Sequence, residues 1–293
     1  MELSGCGTAL ITPFRQDGAL DEAALVRLVN WQIESGINFL VPCGTTGEAS
    51  TLNEAEHLRV VEVVVNAAAG RVPVFAGCTH NATSEAVARA KKLANVAGLT
   101  GLLTANPYYN RPGQEGQYQH FRAIAESVNL PMLLYNIPSR TGVNLEPATV
   151  LRLAEIPNII GVKESSGNLA QITELIAQAP YDFKVFSGDD GITLPVLALG
   201  GAGLVSVASN AIPAQMAQMV RAALTGDWST ARAINAKYLR LMQAHFLEPS
   251  PAPVKAVVAL MGRCEEKLRL PMVPVSEGLR QKLKVLLSEL GLA

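Results

Sequence analysis

The sequence predicts an α/β fold, a (β/α)8 TIM barrel with a C-terminal helical extension, and three observations carry that expectation. Eight short apolar or β-branched runs recur along the chain. Amphipathic stretches with readable starts lie between them. The eight units occupy about 225 residues, close to the ~250 usual for such a barrel. The runs are CGTALIT (6–12), GINFLVPC (36–43), VPVFAGC (72–78), GLLTANP (101–107), PMLLYNI (131–137), IIGVKESS (159–166), FKVFSGD (183–189) and GAGLVSVAS (201–209). They are continuous rather than alternating, as strands covered on both faces should be. A doubly wound open sheet is the structural alternative, but it seldom needs eight evenly spaced units, and no G-x-G-x-x-G opens a helix here.

The intervening helices follow from spacing and caps. Asp21 begins a stretch whose Leu25, Leu28, Val29 and Ile33 share one face. Asn53 and Glu56 have the spacing of a capping box ahead of HLRVVEVVVNAAAG, and Asn168 caps LAQITELIAQA. The helix expected near Asp190 to Leu199 is short and the weakest of the set. After Gly226 the alternation stops, and WSTARAINAKYLRLMQAHF, PAPVKAVVALMG and SEGLRQKLKVLLSEL read as three helices. The last carries Leu279, Leu283, Leu286 and Leu290 at helical spacing. The expected division is a barrel over 1–226 and a three-helix C-terminal domain over 227–293, with no low-complexity linker between them.

Composition narrows the function classes. The 293 residues are 49% hydrophobic and 17% charged with net charge −1, which describes a soluble globular chain with ample core. Neutrality and the absence of basic runs argue against nucleic acid or an anionic membrane as partner. No apolar run approaches the ~18 residues that span a bilayer, and MELSGCGTAL lacks a signal-peptide pattern, so a cytoplasmic location is expected. Cys6, Cys43, Cys78 and Cys264 are far apart, without C-x-x-C or a nearby histidine. They read as small buried hydrophobes rather than zinc ligands or a disulfide framework. His57, His80, His120 and His245 are scattered, which disfavours a metal-dependent aldolase.

Polar residues follow the runs at one end, where a barrel builds its chemistry. GTTGEAS follows the second run, YYNRPG the fourth, PSRTG the fifth and GDD the seventh, while Lys163 lies inside the sixth. Lysine is almost never fully buried without a partner. A solvated strand end, or an ion pair with Glu164, is the plain explanation, but alternation puts Lys163 and Glu164 on opposite faces. A lysine in water, with pKa ≈ 10.4, is uncharged about one part in 2,500 at pH 7. Desolvation raises the free-amine fraction, and a free amine attacks ketones to form a Schiff base. Burial is therefore the expected activation.

A carbinolamine must lose water, so a proton shuttle is needed. Tyr135, one strand over, is placed by topology for that role, although a core tyrosine with a satisfied hydroxyl is the alternative. GTTGEAS lacks the lysine of a P-loop; Thr45 and Thr46 offer hydroxyls and successive N–H groups that suit a carboxylate, or they form an ordinary glycine-rich turn. Arg140 is either a solvated loop residue or a fork for a carboxylate. Asp189 and Asp190 read as helix caps rather than metal ligands.

Taken with these residues, GTTGE, PYYNRP, YNIPSRTG, GVKESSG, SGDD and PVKA occur in an order that resembles the 4-hydroxy-tetrahydrodipicolinate synthase (dihydrodipicolinate synthase) family of pyruvate-dependent Schiff-base lyases, over nearly the whole chain. The resemblance implies that Lys163 forms an imine with pyruvate, whose enamine attacks L-aspartate 4-semialdehyde on the route to diaminopimelate and L-lysine. It implies that Tyr135, Thr46 and Tyr109 relay protons, Tyr109 from a neighbouring subunit. Thr45 and Thr46 would hold the pyruvate carboxylate and Arg140 that of the semialdehyde. Gly188 and Val205 would line the pocket, Val205 where many relatives have isoleucine. No metal or organic cofactor is implied, pyruvate being a covalently bound substrate. A homotetramer, a dimer of dimers, is the implied assembly.

The resemblance further implies a possible L-lysine effector site from Ser50, His57, Asn81, Glu85 and Tyr108. Glu54 departs there from the histidine of several inhibited relatives, and His57 also reads simply as a solvated helix-face residue. Two other readings stay open. One is a sugar-acid aldolase of the same chemistry, acting on sialic acid or 2-keto-3-deoxygluconate, whose members typically lack an arginine at the Arg140 position. The other is a non-catalytic barrel that senses a small carboxylate.

Overall fold

Eight parallel strands form one ring in the computed structural model, which describes residues 3–292. The first half runs β1 (Gly5–Ala9), α1 (Glu22–Glu34), β2 (Phe39–Val41), α2 (Glu54–Ala68), β3 (Phe75–Gly77), α3 (Thr83–Leu93), β4 (Gly101–Ala105) and α4 (Gln114–Glu126). The second half runs β5 (Met132–Asn136), α5 (Pro138–Thr141), α6 (Pro147–Leu153), β6 (Ile159–Glu164), α7 (Leu169–Gln178), β7 (Lys184–Ser187), α8 (Thr193–Ala198), β8 (Gly203–Ser206) and α9 (Pro213–Leu224). After these come α10 (Trp228–Ala244), α11 (Ala252–Leu260) and α12 (Glu277–Leu290). Strand neighbours follow sequence order, and β1 pairs with both β2 and β8. A bridge between Leu40 and Val74, with the Leu40 N–H donating to the Pro73 carbonyl at 2.9 Å, joins β2 to the approach of β3 and closes the ring.

The helix starts work as their sequences imply. Asp21, Asn168 and Ser276 each accept a backbone N–H of the following turn, and Asn53 and Glu56 form a reciprocal capping box. The weak helix after β7 is real but short: a 3-10 turn over Asp190–Ile192 leads into α8. The structure adds α5 where PSRTG predicts a loop; Pro138 fits its first turn because the missing N–H would be unpaired there anyway.

Two apolar layers result. Phe39, Phe75, Phe186, Leu133 and Val205 fill the barrel interior, where the Phe39 ring meets Phe186 edge-on at 5.4 Å. Gly7 leaves room for that ring: a Cβ there would lie 2.2 Å from Phe39 Cε2. The second layer joins the outer strand faces to the helices. It includes Tyr238, Leu241, Met242, Leu283 and Leu287 of α10 and α12, so the C-terminal helices share the core of the barrel helices. Met1, Glu2 and Ala293, the ends of the expected divisions, lie outside the described residues. No helix among the described residues is long and apolar enough to cross a membrane.

Cys6, Cys43 and Cys78 are buried; burial pushes the thiols of Cys6 and Cys43 well up and that of Cys78 to about 12. His57, His120 and His245 are also buried, which lowers the first two to about 4 and His245 to about 3. An unfolded histidine takes up its proton near pH 6.5, so each of these groups makes the fold less stable as pH falls from there toward its own lowered value. At pH 5 the loss is about 2 kcal/mol per histidine. Among the described residues, both ring nitrogens of His245 lack a hydrogen-bond partner. His245→Leu is therefore expected to lose about 2 kcal/mol less stability than the parent between pH 7 and pH 5, by denaturant titration at each pH. Parallel profiles would contradict this.

Candidate active site

Register places the two central side chains. Tyr135 of β5 is the direct partner of Lys163 of β6, and residues opposite one another on parallel strands point to the same side. Both face the interior. Lys163 is 4% exposed, and its Nζ lies 4.2 Å from the centroid of the Tyr135 ring. No carboxylate among the described residues forms an ion pair with it. The ring face is thus the close neighbour of the amine.

Glu164, one residue on, faces the helices, as period-2 alternation requires. Its carboxylate accepts from Asn136 Nδ2 at 3.0 Å, the Ser166 N–H at 2.6 Å and Gln171 Nε2 at 3.3 Å. Burial raises its pKa above the ordinary value, against those hydrogen bonds. Asn136 also accepts from the Leu145 N–H and donates to Asn144 Oδ1. This buried network fastens the ends of β5 and β6 just behind Tyr135 and Lys163. Sequence reading missed it; its signal was the polar residue following each of those two side chains.

Gly188 lies beyond β7, its N–H donating to the Glu164 carbonyl at 2.8 Å. A Cβ there would stand 1.9 Å from Ser165 Oγ and 2.9 Å from Lys163 Cε. Only glycine leaves the lysine chain its course. Val205 of β8 is fully buried in the same interior cluster as Tyr135.

A cavity of about 430 Å³ is lined by Thr45, Tyr135 and Arg140 together, whereas Lys163, Gly188 and Val205 are not in its lining and Lys163 meets it only through the Tyr135 ring. Thr46, next to Thr45, is buried. The turn carrying both is closed by the Gly47 N–H to Gly44 carbonyl and the Glu48 N–H to Thr45 carbonyl, each at 3.1 Å. Arg140, in α5, donates from Nη2 to the Ser250 carbonyl at 3.0 Å while its side chain reaches the cavity. Ser50, His57 and Tyr108 line the same cavity. His57 Nε2 donates to the Gly77 carbonyl at 2.9 Å, so it is a buried side chain rather than a solvated helix-face one. Asn81 and Glu85 are not in that lining, and Glu54 pairs with Lys92.

Tyr109 is not brought to Lys163 within one chain. It is 88% exposed, with φ 74, a left-handed backbone unusual for a bulky residue. Its loop is braced on both sides: Asn110 Nδ2 donates to the Asn81 carbonyl and Arg111 Nε to the Gly142 carbonyl.

Asp189 caps the 3-10 turn by accepting from the Gly191 N–H. Asp190 is buried and accepts from Ser206 Oγ and the Ala208 N–H at 2.5 and 2.9 Å, and its pKa is raised by burial. Both carboxylates are thus occupied within the fold.

The arrangement can do imine chemistry: a secluded amine, a phenol ring against it, and the Thr45 hydroxyl and Arg140 guanidinium in the cavity that Tyr135 also lines. Comparison with known proteins agrees. The profile of the Dihydrodipicolinate synthetase family matches residues 2–290. A 4-hydroxy-tetrahydrodipicolinate synthase of Acidobacterium capsulatum is 61% identical over 293 residues, covering 100% of this chain and 97% of the relative. The chloride-inhibited dihydrodipicolinate synthase of Acinetobacter baumannii, solved with pyruvate, superposes with a TM-score of 0.97 at 40% identity and 99% coverage of both chains. The DHDPS of Cyanidioschyzon merolae, solved with lysine bound, gives 0.96 at 40% identity, again covering 99% of each. The chain belongs to the dihydrodipicolinate synthetase family.

Proposed function

We propose that the chain is a 4-hydroxy-tetrahydrodipicolinate synthase, condensing pyruvate with L-aspartate 4-semialdehyde. The observation that carries this reading is the Lys163 amine, buried against the ring of Tyr135, a residue that itself lines a cavity together with Thr45 and Arg140. Nζ attacks the keto carbon of pyruvate, the carbinolamine oxygen leaves as water, and an imine forms. Loss of a methyl proton gives the enamine. Its carbon adds to the aldehyde, and the semialdehyde amine then attacks the imine carbon, closing a ring and freeing Lys163. Tyr135 moves the protons with Thr46 and with Tyr109 of the partner subunit. Thr45 and Thr46 hold the pyruvate carboxylate and Arg140 that of the semialdehyde. The protonated imine formed on Lys163 is the electron sink, so the scheme needs no metal or organic cofactor.

The outward-held Tyr109 supports a dimer as the smallest complete unit, and the homotetramer rests on the family resemblance alone. L-lysine is the proposed effector at Ser50, His57 and Tyr108, with Asn81 and Glu85 close in sequence to that rim.

Turnover separates this from a sugar-acid aldolase. Pyruvate with aspartate semialdehyde should be consumed, and sialic acid should not be cleaved; the reverse result rejects the proposal. Arg140→Ala should still trap pyruvate while kcat/KM for the semialdehyde falls about 10- to 100-fold, the worth of a charge-assisted hydrogen bond. Unchanged use of the semialdehyde would remove Arg140 from its role.

A further inference from the structure

The turn that carries Thr45 and Thr46 ends on Glu48, and Glu48 is held from far along the chain. Its Oε1 accepts from Lys255 Nζ at 2.6 Å, both side chains being buried, and its Oε2 accepts from the Arg269 N–H at 3.1 Å. Arg269 is itself fixed: its guanidinium donates to the Gly18 and Thr51 carbonyls and to both oxygens of Glu56. Both cations stand 4.3 Å from the Phe14 ring centroid.

Glu48 also has a left-handed backbone, φ 52, which costs energy for a residue with a Cβ and persists only where surroundings over-determine it. From that residue the constraint passes directly into the turn, because the Glu48 N–H donates to the Thr45 carbonyl. Thr12 Oγ1 donates to the carbonyl of Gly47, the residue before Glu48, at 2.7 Å. A buried ion pair contributes little net stability, since desolvation offsets its attraction. What it fixes here is direction.

We propose that Lys255 and Arg269 are positioning residues, whose hold on Glu48 aims the Thr45 and Thr46 hydroxyl and N–H groups at the carboxylate of the keto acid. The proposal rests on the pyruvate reading above. It gives α11 and the segment between α11 and α12 a part in substrate binding that packing alone does not require.

The test uses the full-length chain with Glu48→Gln and Lys255→Met together. Neutralising both partners at similar volume commonly spares folding, as removing one charge does not. The variant should unfold cooperatively and still trap pyruvate on Lys163, but with the pyruvate KM raised about 10-fold or more and the semialdehyde KM within about two-fold. A pyruvate KM within about two-fold of the parent overturns the proposal. So does an equal loss on both substrates, or a variant that cannot fold, either of which makes the pair a folding element only. The parent, run alongside, keeps the claims apart. No adduct in the parent overturns the functional reading itself, whereas an adduct in both proteins at equal KM overturns this inference alone.

Discussion

Lys163→Ala is expected to abolish covalent capture of pyruvate and to lower turnover by at least about 10³-fold, because it removes the nucleophile rather than one contact among several. The fold should survive. The Lys163 side chain makes no ion pair among the described residues, and the hydrogen bonds that fasten β6 run through Glu164 on the other face. A thermal midpoint close to the parent's, with no reduced adduct on the intact chain, is the expected pair of results. Retained turnover in a folded Lys163→Ala protein would mean that another group does the chemistry.

The second large effect concerns Tyr135. Tyr135→Phe keeps the ring whose centroid lies 4.2 Å from the lysine nitrogen and deletes only the hydroxyl. If the phenol moves the protons that carbinolamine dehydration and enamine formation require, kcat should fall about 10²- to 10⁴-fold, the usual worth of a positioned acid–base group. Pyruvate should still reach Lys163, so long incubation with borohydride should give full trapping at a reduced rate. Pre-steady-state trapping against time separates these two quantities. A trapping rate and kcat equal to the parent's would return Tyr135 to being a core aromatic.

Much of the fold was legible because its determinants are local. A strand covered on both faces must be apolar throughout, and a helix end must satisfy its free N–H groups, so the eight runs and the caps at Asp21, Asn53 and Asn168 could be read directly. Lys163 stood out for the same reason, as a charge in an apolar run. Alternation then assigned its face, and strand adjacency assigned Tyr135 as its neighbour, which the β5–β6 register reproduces.

What stayed hidden depends on pairs far apart in sequence. Glu48 and Lys255 are separated by 207 residues; each sits in a motif that reads as distinctive, but nothing in either motif names the other. The Asn136–Glu164–Gln171 network likewise appears only once β5, β6 and α7 are side by side. Gly188 could be marked only through resemblance, since the need for a missing Cβ becomes visible when Ser165 and Lys163 occupy its space. The short helix Pro138–Thr141 escaped because four residues are too few to show a 3.6-residue period.

Borohydride reduction of the unmodified chain in the presence of pyruvate, followed by peptide mapping in a mass spectrometer, tests the central claim most directly. The expected result is one reduced pyruvate per chain, carried on the peptide containing Lys163 and absent when pyruvate is left out. An unmodified chain, or an adduct confined to surface lysines such as Lys184 or Lys237, would contradict it.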